Sequence, residues 1–369
     1  MNKFSLTILC FTFLSSGAYC QVSEINDIWQ YSQLYRNEQG NYFNLSGRLQ
    51  ADSAYFNSTS NNSALNDNDT YSDILWRRFR FGFKAKYGHI HASLEGDFDL
   101  NNGAKYKRLT DANLSWDLDN GIKLTVLKHS TGFTLDGRTS SKKLLTPQRN
   151  NLTNNLWFTA EYFTGLSVKG KLTNQTTYNS GIFSSDDSDE IGFTDGSYFA
   201  LFSVSSKFSK IQLWDKAELS FDYVYNDVDE QGNTRSFSHV VSFSSKFSTG
   251  NWHLWSDLSF GQGDLGQSDL WGLVLMPYFQ QTNKVQWVMR YTYLDSEQVN
   301  GLRLGKYENK IIEDKGNNYQ ELYAGVNYLI NRHKLKLHFG GQYTQMLDDA
   351  DDGGKYGGWG VTLAIRSYW

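Results

Sequence analysis

Trp359-Gly-Val-Thr-Leu-Ala-Ile-Arg-Ser-Tyr-Trp369 closes the chain, and its alternation decides the fold. Trp359, Val361, Leu363, Ile365 and Trp369 fall on one face, and Gly360, Thr362, Ala364, Arg366 and Tyr368 on the other. Side chains of a strand point to opposite faces with period 2, so this strand is apolar on one side and polar on the other. The same alternation recurs up the chain. Strands apolar on one side and polar on the other, in an exported chain, read as a closed antiparallel transmembrane β-barrel, an all-β fold.

Export is read from residues 1–20. Lys3 gives a positive start, Leu6 to Leu14 a mostly apolar stretch, and Ser16, Gly17 and Ala18 the small residues a signal peptidase requires. Cleavage after Ala18 and after Cys20 both fit. The bulk of Tyr19 argues against lipidation of Cys20. Both cysteines, Cys10 and Cys20, lie in this leader, so the mature chain has no disulfide framework.

Composition agrees with a barrel. No stretch after the leader reaches the 18 or so apolar residues of a membrane helix. Mean hydropathy is −0.54, a value that averaging over a lipid face and a wet lumen produces. Aromatic residues make up 16%, which interfacial girdles use and soluble domains rarely carry. Only Pro147 and Pro277 are prolines, as expected of a chain that is mostly paired strand. A net charge of −4 is too mild for a nucleic-acid partner.

The pattern predicts sixteen strands, about 43–55, 74–87, 90–99, 107–118, 121–129, 163–173, 175–184, 198–208, 215–226, 236–247, 250–260, 268–279, 282–294, 319–330, 333–346 and 358–369. Tight turns alternate with long polar links near 57–73, 130–162, 185–197, 227–235, 295–318 and 347–357. That asymmetry is short periplasmic turns against long outer loops, with both termini on the short-turn side. The chain thus divides into a signal peptide (1–20), an N-terminal segment (21–40) and a barrel (41–369). Ile25, Ile28, Ser32 and Tyr35 have helical spacing, so 21–40 reads either as a short periplasmic or lumenal element or as a loosely ordered lead-in.

Charge is densest in Trp76-Arg-Arg-Phe-Arg-Phe-Gly-Phe-Lys-Ala-Lys86. With Phe79, Phe81 and Phe83 toward lipid, Arg78, Arg80, Lys84 and Lys86 line the lumen. Arg48, Lys169, Lys171, Arg290, Lys334, Lys336 and Arg366 join them by the same alternation. A row of lumenal cations draws anions. Across a two-residue turn, however, Arg80 opposes Asp97 and Arg78 opposes Asp99, and opposed charges cancel. The 130–162 link is then the candidate constriction: Arg138, Lys142, Lys143 and Arg149 stand against Asp136 alone, while Leu135, Leu144 and Leu145 suit a segment folded against the lumen wall. A solvated basic outer loop is the other reading.

Arg48-Leu-Gln, Trp76-Arg-Arg-Phe-Arg-Phe-Gly-Phe, Leu94-Glu-Gly-Asp-Phe, Asp111-Ala-Asn-Leu-Ser-Trp, Thr139-Ser-Ser-Lys-Lys-Leu-Leu and Glu161-Tyr-Phe-Thr-Gly-Leu-Ser resemble the phosphate-selective porins O and P. The resemblance is best in the first half of the chain. It implies a sixteen-stranded, trimeric outer-membrane porin of a diderm bacterium, with the third long loop folded inward. Arg48, Arg78 and Arg80 take the place of the family's pore arginines; its lysine cluster has no residue-by-residue match. The resemblance implies passive diffusion of small anionic or neutral hydrophilic solutes, phosphate among them. The partners expected are outer-membrane lipids and, because the chain closes on an amphipathic strand ending in Trp369, the barrel-assembly machinery during biogenesis. Gly47, Gly170 and Gly341 on the outward face suit a wall against a neighbouring subunit.

A barrel hydrolase and a secreted soluble β-protein are the competing classes. None of the seven histidines sits beside a distinctive Ser or Asp motif, and His89-Ile-His91 lacks a third metal ligand. The Asp348–Asp352 run does not match an EF-hand. The sequence therefore assigns no catalytic residue, no metal and no cofactor.

Overall fold

In the computed structural model, described for residues 29–59, 70–156, 161–211 and 213–369, the chain closes into a barrel. The leader and residues 21–28 of the N-terminal segment lie outside that description. A 3₁₀ turn, Trp29–Ser32, leads into β1 (Gln33–Arg36), which pairs with the next strand. The other sixteen strands form the wall. They are β2 (Tyr42–Ser58), β3 (Thr70–Tyr87), β4 (Ile90–Asp99), β5 (Lys105–Asp117), β6 (Lys123–Ser130), β7 (Tyr162–Lys171), β8 (Thr176–Ser184) and β9 (Tyr198–Phe208). Then come β10 (Lys216–Asn226), β11 (Phe237–Thr249), β12 (Trp252–Gly263), β13 (Leu270–Gln280), β14 (Val285–Ser296), β15 (Asn318–His333), β16 (Leu335–Leu347) and β17 (Tyr356–Tyr368). Every neighbouring pair is antiparallel. β17 pairs β2 from Gly358↔Ser58 to Tyr368↔Arg48, which leaves no free edge in the ring.

Burial follows the period-2 pattern with the outside apolar. Along β17, Trp359, Leu363 and Ile365 are exposed, and Gly360, Thr362, Ala364 and Arg366 are buried. Phe81, Phe83, Leu94, Trp116, Phe243 and Trp287 likewise face outward. Two outward glycines are filled from within the chain, which corrects the expectation that they leave room for a neighbour. The ring of Trp369 lies 2.5 Å from where a Cβ of Gly47 would stand, and Tyr178 covers Gly170. At Gly341 the nearest atoms are 3.6 Å away, so that position alone of the three is open.

The lumen is less uniformly wet than the alternation suggested. Toward the long-loop end, Phe183, Phe199, Val224, Val240, Val274, Leu294 and Met346 point inward and are buried. Two long loops cover them. The 131–161 loop contributes Phe133, Leu152 and Leu156, and the 297–317 loop contributes Leu302, Leu304 and Ile312. The second loop had read as a polar outer link. It folds inward because its apolar residues find this lining, and burying each removes apolar surface from water worth about 1.5–3 kcal/mol.

Candidate functional site: a basic chamber between two inward loops

The 131–161 loop begins with two backbone N–H groups aimed at wall carboxylates. Thr134 donates to Asp222 at 2.9 Å and Leu135 to Asp257 at 2.7 Å. Thr134 takes φ 60°, a backbone region that favours glycine, and these bonds hold it there. A single helical turn follows, α1 (Leu135–Arg138). The chain then crosses the lumen with its carbonyls toward the wall. Lys336 donates to the Leu144 carbonyl at 2.7 Å, Arg366 to that of Pro147 at 3.0 Å, and Arg290 to that of Gln148 at 3.0 Å. Buried carbonyls need partners, and these inward cations supply them. Gln148 reaches Asp52 at 2.7 Å before α2 (Asn151–Leu156).

The basic residues singled out by the sequence separate into two groups. In the first, the charge is matched. Arg48 meets Glu95 at 3.0 Å and donates to Ser141 of the loop at 2.9 Å. Arg80 is buried between Asp97 (3.4 Å), Glu95 (3.9 Å) and the Tyr162 hydroxyl (2.6 Å). The Arg80–Asp97 opposition follows the expected register. The Arg78–Asp99 pairing does not occur. Arg78 instead donates to Gln50 and lies 3.8 Å from Glu161, while Asp99 binds Asn101 and Asn102.

Two loop cations are matched as well, which corrects the idea that Asp136 was their sole carboxylate. Arg138 pairs with Asp222 at 3.1 Å and also holds Ser244 and Ser205. Arg149 pairs with Glu161. The distant partners Asp222 and Glu161 had no sequence signal linking them to the loop. The Glu161 carboxyl is held well below the usual range by Arg149, Arg78 and Arg80, which outweigh its burial.

The second group is less matched. Lys142 lies over the Tyr368 ring, 4.9 Å from its centroid. Burial, with Arg48 and Lys84 beside it, pushes its ammonium down to about 8. Lys143 is exposed. Lys84 and Lys86 stand opposite Ser93 and His91, toward the short-turn end of β3.

On the long-loop side of the 131–161 loop lies a chamber of 490 Å³. The wall gives it Arg77, Arg78 and Arg108. The inward loops give Arg149, Arg303 and Lys306, and the 227–236 loop gives Arg235. Glu161 is the one carboxylate among the described lining residues, and Asn151, Asn154, Asn155 and Asn309 add amides. Arg77 enters through an irregularity in the ladder. Gln50 pairs Arg78 while Ala51 pairs Trp76, so Arg77 is the extra residue of a β-bulge. Strict alternation cannot place Arg77 and Arg78 on one side; the bulge does. The Nε of Arg77 finds no hydrogen-bond partner among the described residues.

The chamber's field shows in Lys306. Burial first, then Arg77 and Arg78, push its ammonium down to about 7. Neighbouring cations disfavour another positive charge where anions do not neutralise them. On the far side of the same loop, Glu308 is buried beside Glu321, hydrogen-bonded by Thr344 at 3.1 Å and by Gln342. Burial pushes its carboxyl up to about 7. Glu321 itself pairs with Arg290 at 2.8 Å.

The competing chemistries fare poorly. His129 Nε2 lies 2.7 Å from Ser167, but its Nδ1 faces the Leu127 carbonyl where a hydrolase places a carboxylate. His91 is tied to Asp117 at 2.6 Å. Asp348 spends its carboxylate on the backbone N–H groups of Ala350, Asp352, Gly353 and Gly354.

The family model described as phosphate-selective porin O and P matches residues 43–251. No curated protein matches the chain. Among solved structures the barrel is similar to an anion-selective porin from Comamonas acidovorans, at 12% identity over 89% of this chain and 100% of that one, with a TM-score of 0.61. It is also similar to OprB of Pseudomonas putida (10%, 88% and 94%, 0.62) and to the outer-membrane channel DcaP of Acinetobacter baumannii (11%, 91% and 99%, 0.57). At such identities the likeness is one of fold.

Proposed function

For a chain that belongs to the phosphate-selective porin O and P family, and so is an outer-membrane channel, we propose that it passes small hydrophilic solutes with a preference for anions, selected in the basic chamber. The observation that carries this is the lining: seven cations, Arg77, Arg78, Arg108, Arg149, Arg235, Arg303 and Lys306, against one carboxylate among the described lining residues, Glu161, which takes Arg149 and Arg78, with Arg108 3.9 Å from Asp97. Two unit charges 4 Å apart interact by about 4 kcal/mol at an effective dielectric near 20, enough to bias occupancy at a narrow point. Phosphate is the anion that the family points to, and the surrounding amides suit its oxygens. Arg48 and Arg138 act mainly by positioning the loop, and Arg80 is spent on Asp97, Glu95 and the Tyr162 hydroxyl. Lys84, Lys86, Lys142 and Lys143 add a weaker field on the short-turn side.

On this reading the short turns and both termini face the periplasm, residues 1–20 are the export signal, and the assembly is a homotrimer, as the family resemblance implies. Cross-linking in mild detergent checks the last point, and only monomer would count against it. The selectivity is tested by recording chloride currents through the reconstituted channel and adding phosphate. Phosphate should depress the chloride current, and less so in Arg303→Gln/Lys306→Gln. A current indifferent to phosphate, in a channel that prefers potassium to chloride, contradicts the proposal.

A further inference from the structure

A second cavity, of 400 Å³, lies on the other side of the 131–161 loop, toward the short turns. Leu145 and Lys143 form part of its roof. Its wall is aromatic. Trp255 and Tyr278 meet edge to face, with ring centroids 5.9 Å apart at 86°. Tyr278 is backed by His253, the two rings parallel at 4.2 Å. Lys246 stands 4.8 Å from the Trp255 centroid and 3.5 Å from Glu218.

These aromatics occupy lumenal positions, whereas the neighbouring strands β9 to β11 present Ser205, Ser220 and Ser244. One side of Trp255 and Tyr278 packs against the cluster of Leu135, Leu145, Met276, Val288 and Tyr323. Trp255 and Tyr278 are only half-buried. Ring surface left beside the conduction path is apolar area that a flat solute can cover. Lys143 makes no ion pair among the described residues, and Lys246 shares Glu218 with Lys207. A carboxylate held by an ammonium next to a ring face combines both features.

We propose that this cavity is a binding station for aromatic carboxylates. The ring lies against Trp255 and Tyr278, and the carboxylate is received by Lys143 and Lys246. The station rests on the reading of the channel as anion-preferring. It goes beyond that reading by making the pore discriminate among anions of equal charge, through a ring rather than through the basic chamber.

The test compares benzoate, cyclohexanecarboxylate and acetate as blockers of chloride current through the full-length reconstituted channel. Benzoate should block at a concentration about fivefold lower than acetate, the advantage expected of one aromatic contact, with cyclohexanecarboxylate between them. Trp255→Leu/Tyr278→Leu should bring the benzoate-to-acetate ratio close to one, and Trp255→Phe should keep it. Should the double variant lose the heat-modifiable mobility of a folded barrel, Lys143→Gln, at an exposed loop position, replaces it. That change should weaken block by benzoate, and block as strong as in the wild type would overturn the station. Equal block by benzoate and acetate in a chloride-preferring wild type, or an undiminished ratio in the Leu variant, also overturns it. A wild type that prefers potassium fails the chamber reading instead.

Discussion

The two inward loops share one apolar lining but differ in what else holds them. The 131–161 loop buries Phe133, Leu152 and Leu156 there and is held by charge as well: wall cations Arg290, Lys336 and Arg366 take its carbonyls, and Asp222 and Asp257 take its first N–H groups. Its own Arg138 and Arg149 are consumed by Asp222 and Glu161. The 297–317 loop is held largely by Leu302, Leu304 and Ile312 in the apolar lining and by Tyr307 on Asp52. Its Arg303 and Lys306 are therefore left to the chamber. A cation that anchors a loop has a local counter-charge and little field to spare. A loop anchored by apolar side chains can present its cations to a solute.

The largest expected effect comes from cutting the charged anchor. Asp222→Ala strands Arg138 and removes the acceptor of the Thr134 N–H. Breaking a buried pair by removing one partner costs about 3–5 kcal/mol, and the lower end applies because Arg138 keeps some exposure. The loop should leave the wall, and single-channel conductance should rise with noisier steps. A conductance equal to that of the wild type would mean the remaining wall contacts suffice.

Loosening the apolar anchor should act on selectivity more than on conductance. Ile312→Ala removes buried methylenes at a cost of about 2–4 kcal/mol. As the loop loosens, Arg303 and Lys306 leave the chamber, and the reversal potential should drift toward potassium with a smaller change in conductance.

A pH series sharpens the comparison further. Lys306, depressed to about 7, is charged below that pH and neutral above it. Glu308, raised to about 7, becomes negative over the same window. Both changes lower the positive charge of one loop, so anion preference should fall as pH rises through 7. Lys142, at about 8, loses its charge later. Lys306→Arg should flatten the step near 7 and Lys142→Arg should leave it. A selectivity that does not vary between pH 6 and 8, the interval that brackets these values, would argue against the chamber's field.

The smallest effect should come from deleting an anchoring pair whole. Arg149→Gln/Glu161→Gln changes no net charge, so the reversal potential should barely move.

Strand number, barrel closure and the outward faces were legible in the sequence because a period of 2 runs through most of the wall, and β17 shows it at full length. The first inward loop was legible through its leucines among cations. The second was not, because Leu302, Leu304 and Ile312 are scattered among polar residues, and the lining that receives them comes from distant strands. The chamber was half legible. Arg78 and Arg149 were singled out, but Arg77 depends on a bulge that no periodicity announces, and Arg108, Arg235, Arg303 and Lys306 converge only through the fold. The pairing of Arg80 with Asp97 could be counted across a turn, whereas Asp222 and Glu161 reach Arg138 and Arg149 from far along the chain.

The reversal potential in a potassium chloride gradient, recorded at low salt where screening is weak, tests the central claim most directly. The wild type should prefer chloride. Arg303→Gln/Lys306→Gln should lose more of that preference than Lys142→Gln/Lys143→Gln, and the difference should shrink as salt is raised. A wild type that prefers potassium, or a 303/306 variant indistinguishable from it, would contradict the account.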